Sequence, residues 1–531
     1  MVDIIKEIEK RRTFAIISHP DAGKTTLTEK LLLYGGAIRL AGSVKARKAS
    51  KHAVSDWMEI EKQRGISVTS SVMQFNYDGY CINILDTPGH QDFSEDTYRT
   101  LMAADSAVMV IDAAKGVEEQ TKKLFRVCSL RGIPIFTFIN KMDRESRDPF
   151  EILQDIENVL GIKSYPMNWP IGSGSGFKGV YDRSNNLIEL FTGGNHGQTE
   201  VKATEGKIDD DVFQDLLGES LHDKLKEDIE LLDVAGDQFK LEEVRAGQLT
   251  PVFFGSASTN FGVEPFLEKF LKLSTPPLPR ESSIGEIDVY KEGFSAFIFK
   301  IQANMNPAHR DRIAFMRICS GKFRKGMEVY HVQGGNKVKL AQPQQFLAQE
   351  REIIEEAYAG DIIGVFDPGI FNIGDTLCEN SKKFKFESIP TFAPEHFARV
   401  KAIDTMKRKQ FIKGINEIAQ EGAIQVFREI HIGIEEIIVG VVGVLQFEVL
   451  EYRLKNEYNA DVRVDILPYR FVRWIESSNI EIDSLNLTSD TKRVTDLKER
   501  NILIFQSEWS ISWALDHNKS LVLSDIGKNE E

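Results

Sequence analysis

Short apolar runs alternate with segments of helical spacing along the first half of the chain. Such runs, separated by helical segments, are typical of strands that are buried in a parallel sheet. A first helix is expected from Lys24 onward. The apolar runs are Thr13–Ser18, Cys81–Asp86, Ala107–Asp112, Ile135–Asn140 and Pro251–Gly255. We therefore predict that residues 1–280 form an α/β domain with a parallel sheet.

This alternation is interrupted between about residues 164 and 250. The glycine-rich sequence from Gly172 to Gly179 is typical of a hairpin, and the stretch Asp209–Asp233 is acidic and helical. Strand–helix alternation then resumes and ends with a predicted helix at Val263–Leu273. We therefore predict an insertion at about 164–250 within the first domain.

A proline-rich linker at residues 274–279 precedes a second domain, because proline stiffens a chain and cannot continue a helix. Residues 281–385 alternate β-type runs with glycine turns, which predicts a small β-barrel. The runs are Phe294–Ile301, Arg312–Ile318, Glu328–Val332 and Asp361–Phe366.

The last part of the chain, residues 386–531, follows the order β, α, β, β, α, β. This order is that of the split ferredoxin-like unit, so we predict an α+β domain. The predicted elements are Phe397–Ile403, Met406–Gln420, Ile424–Ile430, Ile437–Val442, Val444–Tyr458 and Val462–Ile466. The fold class is therefore multidomain α/β, with three domains.

Composition narrows the class of protein. The chain has 531 residues, with 66 Lys and Arg against 80 Asp and Glu, which gives a net charge of −14. This charge argues against a wholly basic protein that coats nucleic acid. Its four cysteines lie far apart, which favours neither a zinc ribbon nor a disulfide framework. The N-terminal sequence is charged, and the longest apolar run, Ile437–Leu445, has nine residues. We therefore expect a reduced, cytoplasmic protein with no membrane association.

A phosphate-binding loop is predicted where the first strand meets the first helix. Its residues are Ser18, His19, Pro20, Asp21, Ala22, Gly23, Lys24, Thr25 and Thr26, with serine rather than glycine at the first position. The N–H groups of such a turn surround a phosphate, and the helix N-terminus favours its charge. Lys24 would reach the β- and γ-phosphates, and the Thr25 hydroxyl would bind Mg²⁺.

Three other strand ends carry residues that suit a guanine nucleotide. Asp86 would hold Mg²⁺ through water, and in the sequence Asp86, Thr87, Pro88, Gly89 the Gly89 N–H would meet a γ-phosphate. The next sequence is Asn140, Lys141, Met142, Asp143, and the Asp143 carboxylate would accept hydrogen bonds from guanine N1–H and the exocyclic amine. Adenine lacks that pair of donors, so the motif favours GTP over ATP. Ser256 and Ala257 follow the last strand, where the Ala257 N–H would contact the guanine oxygen.

Each of these signals also has an ordinary structural reading. Lys24 would then be a surface lysine, Asp86 a turn residue and Asp143 a helix cap. The four motifs occur in the required order, however, and each lies at a strand end. Ligands bind at the carboxyl ends of parallel strands in this class of fold, so the joint pattern favours GTP binding.

With these motifs the sequence resembles the translational GTPases. The segment Arg64–Ser67 is similar to the end of that family's switch I. The resemblance therefore implies that Ser67 binds Mg²⁺. His90 follows Gly89 and matches the histidine that orients the attacking water. The resemblance also implies catalytic roles for Lys24 and for Asp21, which matches an aspartate that holds a monovalent cation.

The resemblance is closest to the class II peptide chain release factors and covers nearly all of the chain. It rests on the phosphate-binding loop, on Ser55–Glu59, on Gln91–Leu101 and on Trp169–Gly174. It implies GTP and GDP as ligands and the ribosome and the decoding release factors as partners. The protein would promote departure of those factors after peptide release, with hydrolysis slow away from ribosomal RNA and the protein a monomer off the ribosome. The alternative is a translocase like elongation factor G or a ribosome-protection GTPase.

Overall fold

The structure is a computed structural model in which most of the chain is described. The described residues are 2–38, 61, 67–192, 199–290, 293–303, 312–341, 343–347, 350–379, 383–387, 389, 391–430, 437–477 and 480–525. Within this part of the chain, no helix combines the length and the apolar character that crossing a bilayer requires.

A seven-stranded sheet forms the centre of the first domain, with the strand order β2-β3-β1-β4-β5-β11-β6. Its strands are β1 Arg11–Ser18, β2 Ser71–Tyr77, β3 Tyr80–Asp86, β4 Ser106–Asp112, β5 Ile135–Asn140, β6 Lys163–Pro166 and β11 Leu249–Phe254. All neighbours are parallel except β2 and β3. The five strands predicted from apolar runs are confirmed. Every residue of β1, β4, β5 and β11 is buried, which is why each of them reads as an almost continuous apolar run.

Helices cover both faces of this sheet, and an apolar core lies between the sheet and the helices on each face. The N-terminal helix α1 Val2–Glu9 packs instead, through Ile8, on the core of the second segment. The helices on the sheet are α2 Lys24–Tyr34, α3 Ser94–Leu101, α4 Glu119–Leu130, α5 Pro149–Leu160 and α9 Val263–Leu273. A short 3₁₀ turn, Gln91–Phe93, precedes α3. On one face Phe14, Phe136 and Phe270 pack edge to face, with ring centroids 4.5 and 4.8 Å apart.

The predicted insertion contains an antiparallel sheet of order β10-β9-β8-β7 followed by helices. Its elements are β7 Asn168–Ile171, β8 Gly179–Asp182, β9 Leu187–Phe191, β10 Ala203–Gly206, α6 Asp211–Leu217, α7 Glu219–Ala235 and α8 Leu241–Arg245. Trp169 is fully buried, and its indole N–H donates to Asp228 of α7 at 3.0 Å, which joins sheet and helix. Strand β6 belongs to the main sheet, so the separate sheet begins only after residue 166. The domain boundaries themselves stay a prediction.

The second segment is an antiparallel β structure, as predicted. Eight strands form a half-barrel of order β18-β17-β23-β14-β15-β22-β19-β20, and two smaller ladders pair β12 with β13 and β16 with β21. The strands are β12 Arg280–Ser282, β13 Gly285–Ile287, β14 Ser295–Ala303, β15 Arg312–Ser320, β16 Lys322–Arg324, β17 Glu328–His331, β18 Asn336–Lys339, β19 Gln344–Leu347, β20 Glu350–Ile353, β21 Glu356–Tyr358, β22 Ile362–Phe366 and β23 Thr376–Cys378.

The last segment contains the predicted ferredoxin-like unit, whose strand order is β27-β24-β26-β25. Its elements are β24 His396–Ala402, α10 Arg408–Gln420, β25 Gln425–Glu429, β26 Ile437–Val441, α11 Leu445–Tyr458 and β27 Val462–Leu467. The sheet continues from β25 into four further strands that we did not predict. They are β28 Phe471–Ile475, β29 Lys492–Thr495, β30 Asn501–Phe505 and β31 Leu523–Ser524, with helix α12 Glu508–His517.

The extension covers a face of the ferredoxin-like sheet that the two helices α10 and α11 leave open. Phe397, Phe427 and Ile438 point to that face and pack against Val472 and Trp474 of β28. This explains why both faces of β26 are buried and why the segment reads as an apolar run without alternation.

A buried charged cluster joins this segment to the half-barrel. Arg453 of α11 is 1% exposed and makes two hydrogen bonds to Glu421, at 2.7 and 3.0 Å, and two to Glu457. Glu421 also accepts the backbone N–H of Ala303 at 3.1 Å. Burial raises the pKa of the Glu421 carboxyl even though Arg453 opposes the shift.

We expect Arg453→Leu to lower the free energy of unfolding by about 3–5 kcal/mol, because the buried Glu421 carboxylate loses its partner. Urea unfolding would measure the loss. Lys455→Ala on the same helix, whose side chain is 66% exposed, is the matched control and should change stability by less than about 0.5 kcal/mol. Equal stability of the two variants would contradict the assigned role of Arg453.

Candidate nucleotide-binding site

The structure brings the predicted site residues to one edge of the main sheet. Strands β3, β1, β4, β5 and β11 are successive neighbours and parallel, so their carboxyl ends lie side by side. The four predicted motifs follow four of these strands: residues 18–26, 86–90, 140–143 and 256–257. This edge is where ligands bind in open α/β sheets.

The phosphate-binding loop connects the end of β1 directly to the start of α2. Gly23 caps the helix with φ of 97°, a left-handed conformation that favours glycine. A Cβ at this position would also lie 2.2 Å from Nδ2 of Asn140. The loop and residues 140–143, the base-recognition motif, therefore approach as closely as glycine permits. No side chain caps the start of α2 at Gly23, which leaves the first N–H groups of the helix available to an anion.

Lys24 and Asp86 form a buried ion pair at the centre of the site. The Lys24 ammonium contacts Oδ1 of Asp86, and the two residues are 6% and 2% exposed. Oδ2 of Asp86 is buried and has no hydrogen-bond partner among the described residues. Thr87 anchors the strand end because its hydroxyl donates to the Ile16 carbonyl at 2.7 Å.

The unpartnered Asp86 oxygen fits a magnesium site. Mg²⁺ is usually held by one or two carboxylates together with hydroxyls, waters and substrate phosphates. Consistent with this, no group of three or more acidic, histidine or cysteine side chains is arranged for a metal in the described part of the chain. Asp86, which contacts Lys24 of the phosphate-binding loop, is therefore a suitable carboxylate for nucleotide-bound Mg²⁺.

Gly89 and His90 lie next to the phosphate-binding loop. A Cβ on Gly89 would be 3.5 Å from the Cα of Pro20, which places the two loops in van der Waals distance. The ring of His90 is partly exposed, and its Nδ1 accepts the backbone N–H of Asp92 at 3.3 Å. With Nδ1 as acceptor, the neutral ring carries its proton on Nε2. His90 therefore presents a donor to a water oxygen.

Asn140 connects the base-recognition motif to the two other motifs. Its Nδ2 donates to the Ala22 carbonyl at 2.9 Å, and its Oδ1 accepts the N–H groups of Lys141 and Ala257 at 2.8 and 2.9 Å. The Ala257 N–H, which we predicted to contact guanine, is thus donated to Asn140 in this structure. Its contact with guanine stays a prediction.

Lys141 links the base-recognition motif to the phosphate-binding loop. Its ammonium donates to the Asp21 carbonyl at 2.5 Å and to Oδ2 of Asp112 at 2.6 Å. Asp21 and Lys141 both have positive φ, of 64° and 71°, which is uncommon for residues other than glycine. Backbone strain of this kind is concentrated at ligand-binding loops.

Two hydroxyls hold the carboxylate of Asp143. Ser256 donates to Oδ1 at 2.7 Å and Ser258 donates to Oδ2 at 2.8 Å. Met142 is buried, and its N–H donates to the Gly255 carbonyl at 3.2 Å, which joins the two strand-end motifs. The arrangement fixes the plane of the carboxylate that would read guanine.

Sequence reasoning missed two residues of this site. Asp112 ends the apolar run Ala107–Asp112 in the same way that Asp86 ends its run, so the same signal was present. Ser258 gave no signal, because its contact with Asp143 depends on the turn that follows β11.

The remaining predicted residues that the structure describes lie in the phosphate-binding loop, at the start of α2 and before β2. His19 approaches Glu118 at 3.3 Å, and Thr25 and Thr26 lie in the first turn of α2. Ser67 is half-buried before β2. Arg64, Gly65 and Ile66 lie outside the described residues, as does the segment Ser55–Glu59.

We expect Ser258→Ala to weaken GTP binding by about tenfold, because one charge-assisted hydrogen bond to Asp143 is lost. Equilibrium binding of a fluorescent guanine nucleotide would measure the change. Thr259→Ala, at the next position, is the control and should bind like the parent. An unchanged affinity in Ser258→Ala would exclude the proposed orientation of Asp143.

Comparison with known protein families matches almost the whole chain in three parts. The profile of the Elongation factor Tu GTP binding domain matches residues 9–276, and that of Elongation factor G domain 2 matches residues 293–380. The profile of the Class II release factor RF3, C-terminal domain, matches residues 386–515. The three matches follow the order of the three predicted domains.

Curated relatives are similar over almost their full length. The chain is 61% identical to peptide chain release factor 3 of Symbiobacterium thermophilum over 522 residues, which cover 98% of both chains. It is 54% identical to the protein of the same name from Listeria monocytogenes over 525 residues, 99% of both chains. A crystal structure of a protein from Thermus thermophilus has a TM-score of 0.69 at 21% identity, covering 92% of this chain and 72% of that chain, which supports the fold.

Proposed function

Because the chain belongs to the peptide chain release factor 3 family, it is a GTPase of translation termination, and we propose that it promotes departure of the decoding release factors from the ribosome after peptide release. The observation that carries the proposal is the similarity over almost the whole chain, including the C-terminal domain. Nothing in the comparisons favours the alternative of a translocase or a ribosome-protection GTPase.

GTP and GDP are the expected ligands of a GTPase of this family, together with Mg²⁺. In our proposal the N–H groups of residues 18–26 surround the phosphates, and Asn140 and Asp143 select guanine. Thr25, Ser67 and Asp86 would hold Mg²⁺, which supplies charge neutralisation at the β- and γ-phosphate oxygens when bound. A monovalent cation near Asp21 is part of the same proposal.

The chain's own residues would act mainly by positioning. Lys24 would exchange its contact with Asp86 for the phosphate oxygens, which places a positive charge where negative charge develops. His90 would donate from Nε2 to the attacking water and hold it in line with the γ-phosphorus. Because Nε2 already carries a proton in the neutral ring, His90 orients the water rather than accepting its proton.

We also propose the surroundings in which this chemistry occurs. The protein would work in the cytoplasm as a monomer that binds the ribosome, without a membrane. Its partners would be ribosomal RNA and proteins and the decoding release factor. Its activating charge would come from the ribosome, so hydrolysis would be slow away from it.

The proposal is tested on ribosomes that carry a fluorescently labelled decoding release factor after peptide release. Adding the protein with GTP should accelerate departure of the labelled factor, and adding it with ATP should not. If departure is unchanged while the protein moves messenger RNA on the ribosome, the translocase alternative replaces the proposal.

A further inference from the structure

Asp92 connects the ring of His90 to the C-terminal segment, the last segment described above, which contains the ferredoxin-like unit. Asp92 is 6% exposed, and its backbone N–H donates to Nδ1 of His90 at 3.3 Å. Its Oδ1 lies 3.2 Å from the same nitrogen, so Asp92 contacts this side of the ring whether or not Nδ1 carries a proton. Its Oδ2 accepts the backbone N–H of Leu445 at 2.9 Å.

The Leu445 contact makes Asp92 a cap for a helix in another part of the chain. Leu445 is the first residue of α11, and Val444 before it provides no side-chain cap. The first N–H groups of a helix lack partners within it, and a carboxylate there interacts favourably with the helix dipole. Asp92 provides that carboxylate from the first domain, 353 residues away in sequence.

The turn before α11 is packed directly onto Asp92. A Cβ on Gly443 would lie 2.0 Å from Cγ of Asp92, so the two parts meet at a distance that only glycine allows. The turn is held to its own helix because Oε1 of Gln446 accepts the N–H groups of Val442 and Gly443, at 2.8 and 3.0 Å. A displacement of α11 would therefore move the group that contacts Asp92.

Apolar packing reinforces the contact. Phe93, the last residue of the 3₁₀ turn that follows His90, packs with Val449 of α11 and with Val68. Leu445 and Tyr452 pack against the same small cluster. The 3₁₀ turn that follows His90 is thus packed against α11.

We propose that Asp92 is the positioning residue of His90 and that the turn Gly443–Leu445 of the C-terminal segment holds it in place. The proposal rests on the role of His90 given under Proposed function. The position of the C-terminal segment then determines whether the Nε2–H of His90 points at the attacking water. Asp92 takes no part in binding base, ribose or phosphate, so its loss affects the rate of cleavage and not the affinity for GTP.

The test compares substitutions on both sides of the contact. Asp92→Ala and Gly443→Ala should each slow single-turnover GTP cleavage at saturating ribosomes by about tenfold, because small misplacements of a positioning group have large effects on rate. GTP affinity should stay within about twofold. Asp92→Asn should recover most of the rate, since its amide oxygen still accepts the Leu445 N–H and its amide N–H can donate to Nδ1. Val444→Ala, exposed on the same turn, should behave like the parent.

A second measurement covers the case in which a variant does not fold. The imidazole nitrogen NMR signals of the parent protein, assigned by their loss in His90→Ala, should show an unprotonated Nδ1 and a protonated Nε2 at neutral pH. The opposite tautomer would overturn the proposal, as would parental cleavage rates in folded Asp92→Ala and Gly443→Ala. Loss of GTP affinity in both, without recovery in Asp92→Asn, would also overturn it. Failure of the role proposed for His90 is distinguishable, because His90→Ala itself would then cleave GTP at the parental rate.

Discussion

His90→Ala is expected to reduce ribosome-stimulated GTP cleavage by about 100-fold or more, the effect typical of removing a positioned catalytic side chain. GTP affinity should stay within a few-fold, because the partly exposed His90 ring follows Gly89 and would contact the attacking water rather than the base or ribose. The variant should still bind ribosomes with GTP and remain there, since departure requires hydrolysis.

Single-turnover cleavage measured beside ribosome retention separates these effects. His396→Ala, which removes an exposed histidine of the C-terminal segment, is the control and should cleave GTP like the parent. A parental rate in His90→Ala would remove this residue from the mechanism. Loss of both binding and cleavage would show a structural role instead.

Asp143→Asn is expected to change the choice of base. The carboxylate accepts two donors of guanine, whereas an amide presents a donor in place of one acceptor. A site that is built to hydrogen-bond one group rejects its analogue by about 10⁴-fold, so GTP affinity should fall by that order. Xanthosine triphosphate should bind instead, because its C2 oxygen replaces the exocyclic amine.

Competition between the two nucleotides in equilibrium binding gives the specificity directly. Asp148→Asn is a matched control, since Asp148 caps α5 and asparagine caps helices equally well. It should leave the preference for GTP unchanged. Parental GTP binding by Asp143→Asn, without binding of the xanthine nucleotide, would refute the assignment of residues 140–143.

The sequence predicted the main sheet well because its strands are buried on both faces. Runs such as Ala107–Asp112 and Ile135–Asn140 become strands with almost the same limits. Strand β6 was assigned to the insertion, because Lys163–Pro166 is short and lies at the sheet edge, where one side lacks a neighbour. Strands β28, β29 and β31 were missed because they are short and most of their residues are only partly buried. Strand β30 contains a buried apolar run at residues 502–505, so its signal was present in the sequence.

The site was predicted where its residues are contiguous in sequence and not where they depend on tertiary contacts. The phosphate-binding loop and the Asn140–Asp143 motif each follow a strand, so their common location follows from parallel order alone. The contacts of Ser258 with Asp143 and of Asp92 with Leu445 join separate elements. No periodicity in the sequence specifies which turn of one domain meets which helix of another.

This chain is a GTPase of translation termination, and the ribosome is the expected site of its activity. Its most direct test is GTP turnover by the purified protein, alone and with ribosomes that carry a decoding release factor after peptide release. We expect slow turnover by the protein alone, strong stimulation by these ribosomes, and loss of the stimulation in His90→Ala. Equal GTP turnover with and without ribosomes would contradict this function. Ribosome-stimulated hydrolysis of ATP at the same rate as GTP would contradict it as well.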